Sequence, residues 1–241
     1  MDTRTALVTG AAQGLGQEFA VALAGRGYRV AGLDIAPQTE TAGRILDYLG
    51  LVGDAADDEQ VRAGMERVID RFGTLHVVVN NAGVYPAGPF EETTLEDWRR
   101  IMRVNLEAPF VVTRAALPYL KAAGWGRVVN IVSAAVFTAP PDMVPYVTSK
   151  MGLIGFTRAL ASALGPYGIT ANAIAPTMVR TATAERTVGA DGGFEAVRAG
   201  QVVRRTQQPS DLVSTLLYVV DEGSGFLTGQ TLNVSGGAAF L

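Results

Sequence analysis

The sequence predicts an α/β fold, a doubly wound parallel sheet of about seven strands with helices on both faces. Short aliphatic runs without polar alternation recur along the chain, which is typical of strands buried on both faces. Stretches with helical spacing separate these runs, and such alternation implies right-handed crossovers between parallel strands. No low-complexity linker or repeat divides the 241 residues, so we expect a single domain.

The individual elements follow in chain order from these two patterns. Aliphatic and β-branched runs predict strands at residues 6–8, 29–33, 51–52, 75–79, 128–132, 169–174 and 231–234. Apolar residues at helical spacing predict helices at residues 14–26, 39–48, 58–72, 95–122, 147–164 and 209–221. Each predicted strand except the last is therefore followed by a helix.

Residues 178–208 break this alternation because they carry no strong strand pattern. Within them, the glycine-rich stretch 189–193 is expected to be flexible. An irregular segment of this length in a compact domain is usually a lid or a substrate loop. We therefore expect residues 178–208 to form a substrate loop.

Composition excludes several classes of chemistry. The chain has no Cys and one His, which excludes thiolate catalysis, disulfides and zinc sites with several Cys or His ligands. We accordingly expect no metal site. A Ser-His-Asp triad would require His76, which we interpret as a bystander at the start of a buried strand. The net charge of −3 provides no basic surface for nucleic acid.

Hydropathy gives no indication of a membrane segment. The chain is 48% hydrophobic, but no apolar run approaches the about 18–20 residues that a spanning helix needs. The N-terminus leads directly into a predicted strand and shows no signal peptide. We therefore expect a cytoplasmic protein that binds neither a membrane nor nucleic acid.

A glycine-rich turn joins the first predicted strand to the first predicted helix. Its sequence is Thr9-Gly10-Ala11-Ala12-Gln13-Gly14-Leu15-Gly16. Glycines let the backbone turn sharply and approach a pyrophosphate, while free N–H groups at the helix N-terminus face the negative charge. The turn predicts a dinucleotide site on a Rossmann-type sheet, formed by Gly10, Gln13, Gly14, Leu15 and Gly16. The alternative is an ordinary tight turn.

Acidic residues after the second and third strands extend this predicted site. Asp34 follows Gly16 by 18 residues, close to the about 20 expected for an acid that binds the adenosine ribose. A 2′-phosphate would meet a like charge there, and neither Gln13 nor Ile35 supplies a cation, so NAD is favoured over NADP. Asp54-Ala55 is a candidate for the adenine edge. Either acid could instead be an ordinary turn residue.

Tyr146 and Lys150 are candidate proton-transfer residues. They lie four positions apart, on one face of a helix predicted to begin near Pro145. A tyrosine with its usual pKa near 10 is a poor base, but a cation about 5 Å away would lower that pKa by about 2 units. The phenol would then exchange the proton of a carbinol whose hydride leaves. The alternative is a pair on the surface of an amphipathic helix.

Polar residues end two of the predicted strands. Ser133 follows the fifth strand and Asn81-Ala82-Gly83 follows the fourth, at the sheet edge where parallel sheets bind ligands. Ser133 would hold a substrate oxygen beside Tyr146. Asn105 is a further candidate, with the alternative that it is only the N-cap of a helix beginning at Leu106.

Over essentially its whole length, the chain resembles the short-chain dehydrogenase/reductase family. The motifs that carry the resemblance are the glycine-rich turn, Asn80-Asn81-Ala82-Gly83, Asn105, Ser133 with Tyr146-x-x-x-Lys150, and Thr228-Gly229-Gln230 followed by Gly236-Gly237. The resemblance implies that Tyr146 is the general acid/base and that Lys150 lowers its pKa and binds the nicotinamide ribose. It also implies that Ser133 orients the substrate oxygen and that Asn105 holds a water in a proton relay behind Lys150.

The resemblance extends to the segment after the sixth strand. There it implies that Pro176, Val179 and Thr181 contact the nicotinamide carboxamide region. Thr177 stands where the family usually has a glycine. Val132 stands where many family members have a serine.

Several segments narrow the resemblance to bacterial NAD-dependent 1-phenylethanol dehydrogenases, which interconvert secondary aryl alcohols and aryl ketones. These segments are residues 82–86, 124–127, 155–162, 172–176 and 179–183. A mostly apolar substrate pocket agrees with this, and its candidate residues are Tyr85, Ala135, Phe137, Met143, Met178 and Phe194. For each of them the alternative is packing in the core.

We therefore expect an NAD-dependent alcohol dehydrogenase, or carbonyl reductase in reverse, acting on a small-molecule secondary alcohol or ketone. One alternative is a 3-oxoacyl-carrier-protein reductase or another NADPH-linked carbonyl reductase. An alternative of another class is a nucleotide-binding protein without catalysis. The family resemblance also implies a homotetramer, assembled through the helices near 106–122 and 147–164.

Overall fold

One seven-stranded parallel sheet organises the described residues, 3–188 and 192–240 of a computed structural model. Its strands are β1 (Thr5–Thr9), β2 (Arg29–Asp34), β3 (Tyr48–Val52), β4 (Val77–Asn80), β5 (Gly126–Ile131), β6 (Ile169–Pro176) and β7 (Thr231–Val234). They pair in the order β3-β2-β1-β4-β5-β6-β7. The chain thus extends the sheet to one side of β1 and then to the other, which places the topological switch point between β1 and β4.

Helices cover both faces of this sheet. Within the described residues they are α1 (Gly14–Gly25), α2 (Thr39–Arg44), α3 (Asp58–Phe72), α4 (Leu95–Met102), α5 (Ala108–Ala123), α6 (Ala135–Thr138), α7 (Val144–Leu164), α8 (Ala182–Val188), α9 (Gly193–Ala199) and α10 (Pro209–Val219). Leu7 of β1 packs in a core with α3, α5 and α7, whereas its neighbours Ala6 and Val8 pack in a core with α1 and α10. Both faces of the strand are apolar for this reason, which explains its unalternating sequence.

One predicted helix is shorter than expected. Helix α2 ends at Arg44 rather than at residue 48. Ile45 is extended, and Tyr48 already pairs with Val30 at the start of β3. The apolar residues at 45 and 48 therefore belong to the approach to a strand, because pairing with β2 outweighs local helical spacing.

The predicted helix over 95–122 is two helices joined by a π-helical turn, Arg103–Glu107. Asn105 lies inside that turn, so its interpretation as an N-cap is wrong. Thr94 is the N-cap of α4, where its hydroxyl accepts a hydrogen bond from the Asp97 N–H at 3.0 Å. A single turn of π-helix is often found at a functional site.

The segment 178–208 forms two short helices, α8 and α9, which the sequence pattern did not predict. An isolated bridge joins Val179 to Gln207, and the Arg180 N–H donates to the Gln207 carbonyl at 2.8 Å. Both ends of the segment are thereby tied together. Residues 189–191 of the glycine-rich stretch lie outside the described residues.

Two further properties bear on function. None of the helices in residues 3–188 and 192–240 is long and apolar enough to cross a membrane. Across that same part of the chain, no group of three or more His, Asp or Glu side chains is placed to hold a metal ion.

Candidate active site

A cavity of about 810 Å³ lies at the carboxyl ends of the strands, at the switch point of the sheet. The loops that follow β1 to β6 line it, together with α7 and the segment 178–208. Ligands bind at this place in doubly wound sheets. Its wall includes the predicted residues Gly10, Gln13, Gly14, Leu15, Asp34, Ile35, Asp54, Ala55, Asn81, Ala82, Gly83, Ser133, Tyr146, Lys150, Pro176, Val179 and Thr181.

The glycine-rich turn leads into α1 with its N-terminus facing this cavity. Gly10 and Gly14 have φ angles of +68° and +62°, a backbone region that favours glycine. Gln13 occupies the N-cap position, and its side chain makes no capping hydrogen bond. Donors in the first turn of α1 are therefore not taken by a side-chain cap. The turn and the positive end of the helix dipole form a cradle for an anionic group.

Gly16, also predicted to bind the cofactor, lies outside the cavity lining. It is buried, and a Cβ at this position would clash with the Gly10 carbonyl oxygen and with the Asn81 side-chain amide. Gly16 therefore lets α1 pack closely against the turn and the loop after β4. This role of shaping the site is separate from contact with a ligand.

Asp34 ends β2 beside the cradle and is held from two directions. One carboxylate oxygen accepts from the Ala12 N–H at 2.9 Å and the other from the Ala36 N–H at 3.0 Å. The carboxylate keeps lone pairs for a ligand because each oxygen can accept more than one hydrogen bond. Arg186 of α8, which the sequence argument did not consider, donates to the Gln13 side chain at 3.3 Å. The segment 178–208 thus brings a cation close to the glycine-rich turn.

Asp54 follows β3 and forms an ion pair across the edge of the cavity. Its Oδ2 lies 2.7 Å from Arg103 Nη1, and its Oδ1 accepts from the Ala56 N–H at 2.9 Å. Arg103 belongs to the π-helical turn that also contains Asn105. The ion pair therefore joins the loop after β3 to this turn.

The loop after β4 is bound to the glycine-rich turn. The Asn81 and Ala82 N–H groups both donate to the Thr9 hydroxyl at 3.0 Å, and Asn81 Nδ2 donates to the Thr9 carbonyl at 2.9 Å. At Gly83 a Cβ would lie 3.2 Å from Asn105 Oδ1 and 3.4 Å from Lys150 Nζ. A glycine here lets the backbone pass close to both side chains.

Ser133 and Tyr146 meet inside the cavity. Ser133 follows β5 and Tyr146 lies in the first turns of α7, and both side chains line the cavity. Burial raises the pKa of Tyr146, and the neighbouring Ser133 side chain offsets this only in part. The expected lowering by Lys150 is not found, because the cost of burying the phenolate dominates. At neutral pH the phenol is therefore protonated and able to donate.

Lys150 is buried one turn after Tyr146 on α7. Its Nζ lies 5.9 Å from the centre of the Tyr146 ring and donates to the Ile131 carbonyl at 2.8 Å. Burial lowers the pKa of Lys150 to about 8, since removing the ammonium group from water disfavours its charge. The lysine is thus fixed by a backbone acceptor at the end of β5.

Asn105 lies behind this pair and does not line the cavity. Its side chain accepts from the Val84 N–H at 2.9 Å and donates to the Val84 carbonyl at 2.8 Å. It also donates to the Ser149 hydroxyl at 3.1 Å, and that hydroxyl donates to the Tyr146 carbonyl at 2.7 Å. Asn105 therefore connects the loop after β4 to the backbone that carries Tyr146 and Lys150.

The segment after β6 is held by two buried glutamines. Gln207 Oε1 accepts from the Thr177 N–H at 2.9 Å and from the Thr177 hydroxyl at 3.0 Å. Gln201 Nε2 donates to the same hydroxyl at 3.0 Å. Thr177 has no left-handed φ angle, so the position does not require the glycine that is usual in the family. The nearby Thr181 hydroxyl accepts from the Ala184 N–H at 3.1 Å, at the start of α8.

Four of the six residues proposed for the substrate wall line the cavity, namely Tyr85, Ala135, Met143 and Met178. The other two, Phe137 and Phe194, lie outside the cavity lining. Phe137 packs against the core formed by β6 and α7, and the Phe194 ring lies 5.3 Å from the Arg180 guanidinium. Sequence reasoning missed further wall residues because only folding brings them there, namely Val84, Thr138, Pro140, Thr177, Ala196, Val197, Gly200 and Ala238.

Comparison with known proteins identifies similar dehydrogenases and reductases. A family model described as enoyl-(acyl carrier protein) reductase matches residues 10–239. The chain is 36% identical to (2S)-[(R)-hydroxy(phenyl)methyl]succinyl-CoA dehydrogenase subunit BbsD of Thauera aromatica, covering 100% of this chain and 98% of that protein. It is 30% identical to the 3-oxoacyl-[acyl-carrier-protein] reductase FabG of Staphylococcus aureus, covering 98% of each.

A solved structure agrees with this assignment. A crystal structure from Sinorhizobium meliloti 1021, described as a short-chain alcohol dehydrogenase, superimposes with a TM-score of 0.93 at 31% identity, covering 99% of this chain and 97% of that one. This chain combines that similarity with a seven-stranded sheet, a glycine-rich turn and the cluster of Ser133, Tyr146 and Lys150. The chain is a Rossmann-type oxidoreductase and belongs to the short-chain dehydrogenase/reductase family.

Proposed function

We propose that this protein is an NAD(H)-dependent oxidoreductase that interconverts a secondary alcohol and a ketone with an apolar or aryl substituent. The observation that carries the proposal is the placement of Ser133 and Tyr146 together in the wall of the cavity, with Lys150 buried one turn away on α7. A carbonyl oxygen bound there would meet a positioned hydrogen-bond donor, Tyr146, beside a second hydroxyl group, that of Ser133.

The residues present fit a nicotinamide cofactor of the kind that this family binds. The N-terminus of α1 and the turn at Gly10 and Gly14 suit a pyrophosphate, and the carboxylate of Asp34 suits ribose hydroxyls. Ile35 and Asp54-Ala55 would border the adenine, with Pro176, Val179 and Thr181 at the nicotinamide end. When bound, the cofactor supplies the acceptor or donor of the hydride.

The chain's own residues would then manage the substrate oxygen. Ser133 holds and orients that oxygen. The Tyr146 phenol gives its proton to the oxygen in the reduction, and in the oxidation the phenolate form of Tyr146 takes the proton of the alcohol. Lys150 is fixed beside Tyr146 by the Ile131 carbonyl and would bind the ribose at the nicotinamide end of the cofactor. Asn105 acts behind them by holding the Val84 backbone and Ser149 in place.

The apolar wall of the cavity supports the proposed substrate class. Tyr85, Met143, Met178 and Val197 form much of it, and among the described lining residues Lys150 is the one with a basic side chain. Apart from Lys150, none of the described lining residues would neutralise a carboxylate or phosphate on the substrate. The similarity to a dehydrogenase whose printed substrate is a succinyl-CoA with a hydroxy(phenyl)methyl group supports the aryl alcohol part of the proposal, and not a particular group on the rest of the substrate.

Tyr146→Phe tests the proposal directly. Removing the phenol oxygen should lower kcat/KM for alcohol oxidation by about 100-fold or more, because the proton loses its acceptor. The reaction is followed by NADH absorbance with 1-phenylethanol and acetophenone. Tyr218→Phe, at an exposed position on α10, is the matched control and should leave the rate unchanged. An unchanged rate in Tyr146→Phe would instead favour a nucleotide-binding protein without catalysis.

An NADPH-linked carbonyl reductase, such as a 3-oxoacyl-carrier-protein reductase, is the second candidate. The observation that favours it is Arg186, whose guanidinium contacts the Gln13 side chain near Asp34. Comparison of kcat/KM with NADH and NADPH decides between them. We expect preference for NADH, because the Asp34 carboxylate repels a 2′-phosphate. Preference for NADPH that Arg186→Ala abolishes would overturn the choice of cofactor.

We also propose that the protein is a cytoplasmic homotetramer that assembles through α5 and α7. Phe110 of α5 and Met151 of α7 expose large apolar side chains, and the Phe110 ring packs edge-on against Phe156. Exposed apolar surface of this kind favours burial against another subunit. Light scattering coupled to size-exclusion chromatography should give four times the chain mass of 25.3 kDa. A monomeric mass would contradict the assembly.

A further inference from the structure

Arg103 is the basic residue that contacts the proposed adenine-binding carboxylate. Its Nη1 lies 2.7 Å from Asp54 Oδ2, while Asp54 Oδ1 accepts from the Ala56 N–H at 2.9 Å. The backbone of Asp54 is held too, because its N–H donates to Gln60 Oε1 at 3.0 Å. Both oxygens of the carboxylate are thus oriented before any ligand arrives.

This ion pair contributes little to stability by itself. The side chains of Arg103 and Asp54 are 46% and 34% exposed, and ion pairs that face water to this extent are weak. Together with the Ala56 N–H, the pair nevertheless favours one orientation of the Asp54 carboxylate at the wall of the cavity. Each oxygen retains a second lone pair, so the carboxylate can still accept from an exocyclic amino group.

Charge gives the pair a second effect. Asp34 and Asp54 place two carboxylates along the part of the cavity proposed for adenosine, where the ligand also carries phosphates. Arg103 neutralises one of these carboxylates and thereby reduces repulsion of the anionic ligand. It acts from outside, because Arg103 borders the surface groove with Trp98 and Phe110 rather than lining the cavity.

We infer that Arg103 is a positioning residue for the adenine half of the cofactor and that it acts through the carboxylate of Asp54. The inference rests on the proposed function. Arg103 orients and neutralises Asp54, and its loss weakens the binding of every ligand that carries the adenosine half. The hydride and proton steps remain intact, because Ser133 and Tyr146 are not touched by this pair.

Isothermal titration calorimetry with ADP-ribose, which lacks the nicotinamide, measures this effect without turnover. Arg103→Ala should raise the Kd by about 3- to 10-fold, as expected for one interacting pair. Arg103→Lys should restore part of the affinity. In an Asp54→Asn background, Arg103→Ala should have no further effect, since the carboxylate through which it acts is gone. Steady-state kinetics should show a raised KM for NAD with kcat unchanged.

Arg100→Ala is the matched control, because Arg100 forms an exposed ion pair with Asp97 on α4, one turn before Arg103. It should leave the Kd for ADP-ribose at the wild-type value. An Arg103→Ala protein with wild-type affinity, or one whose kcat falls while its affinity is kept, would overturn the inference. The failure of the wild-type protein and the Arg100→Ala control to bind ADP-ribose would instead overturn the proposed function.

Discussion

Lys150 shows how one buried residue carries both a functional and an energetic consequence. Its ammonium group is almost fully removed from water, and the hydrogen bond to the Ile131 carbonyl replaces only part of its hydration. Burial lowers its pKa from 10.5 to about 8. The protein therefore keeps a charge at a place where an apolar side chain would be more favourable, as is common at functional sites.

Lys150→Met should abolish the proposed activity and yet stabilise the fold. We expect the free energy of unfolding near neutral pH to rise by about 1–3 kcal/mol, because the cost of burying the charge disappears. In the wild type this cost is fully present below the folded-state pKa of about 8 and vanishes as the pH rises through 10.5. The gain from the substitution should shrink over the same window. Urea unfolding at several pH values measures this, and a less stable variant at neutral pH would contradict it.

Helix α1 shows how close packing sets the geometry of an element. Gly16 begins the buried face of this helix, where a Cβ would meet the Gly10 carbonyl and the Asn81 amide. Gly25, at the other end of α1, has no atom within 4 Å of the position of a Cβ. Of these two glycines of α1, Gly16 is required by close packing, whereas no contact requires a glycine at position 25.

Gly16→Ala should cost about 1–3 kcal/mol of stability and weaken ADP-ribose binding, because the helix must move away from the turn to admit a methyl group. Gly25→Ala should be neutral or stabilise by up to about 1 kcal/mol, since alanine favours the helix. Urea unfolding and calorimetry measure both effects. Equal effects of the two substitutions would show that packing at Gly16 is not limiting.

The base of the segment 178–208 depends on Thr177. Its hydroxyl donates to Gln207 and accepts from Gln201, and both glutamines are buried. Gln207 in turn donates to the Val234 carbonyl at 2.6 Å, which ties the segment to β7. A polar network of this kind stabilises a loop only when its partners remain present.

Thr177→Val should reduce the free energy of unfolding by about 1–2 kcal/mol, because the valine keeps the side-chain volume but leaves Gln201 Nε2 without its acceptor. Thr177→Ser keeps the hydroxyl and should lie close to wild type. Proteolysis within residues 178–208 should be faster in the valine variant alone. Equal stability of Thr177→Val and Thr177→Ser would argue against the network.

At the scale of the whole molecule, the single histidine lies at the opposite end of the sheet from the proposed site. His76 directly precedes β4, at the end of the sheet opposite to the cavity. Its Nδ1 accepts from the Thr5 N–H at 3.0 Å, so the neutral imidazole is part of the start of the sheet. Burial lowers the pKa of His76, and the nearby Arg4 and Arg29 lower it further. This position supports the interpretation of His76 as a bystander in the chemistry.

Stability should therefore fall as the pH drops below about 6.5, the pKa that His76 has when unfolded. The unfolded state binds the proton more readily than the folded state, so the stability present above this pH is lost on acidification. His76→Asn keeps an acceptor for Thr5 and should flatten the dependence. Urea midpoints measured from neutral pH to about pH 5 test this, above the range in which most carboxylates titrate. An unchanged slope would contradict it.

Much of the architecture was predictable because buried strands and helices have characteristic apolar patterns in their own local sequence. All seven strands match predicted apolar runs, and α3 spans residues 58–72 as predicted. The spacing of Tyr146 and Lys150 placed both on one helix, and strand ends placed Ser133 at the same sheet edge. The glycine-rich turn likewise marked a loop whose φ angles need glycine. Each of these signals depends on neighbours within a few residues.

The tertiary structure decided what depends on residues far apart in the chain. The strand order, the π-helical turn at Asn105, the raised pKa of Tyr146 and the Asp54–Arg103 pair all arise from contacts between distant segments. The placement of Phe137 and Phe194 outside the cavity has the same origin. The sequence by itself determined the fold class and the polar groups available for chemistry, because periodicity and side-chain type are local properties. Desolvation and pairing across the sheet depend on distant residues. They decided how those polar groups are charged and oriented.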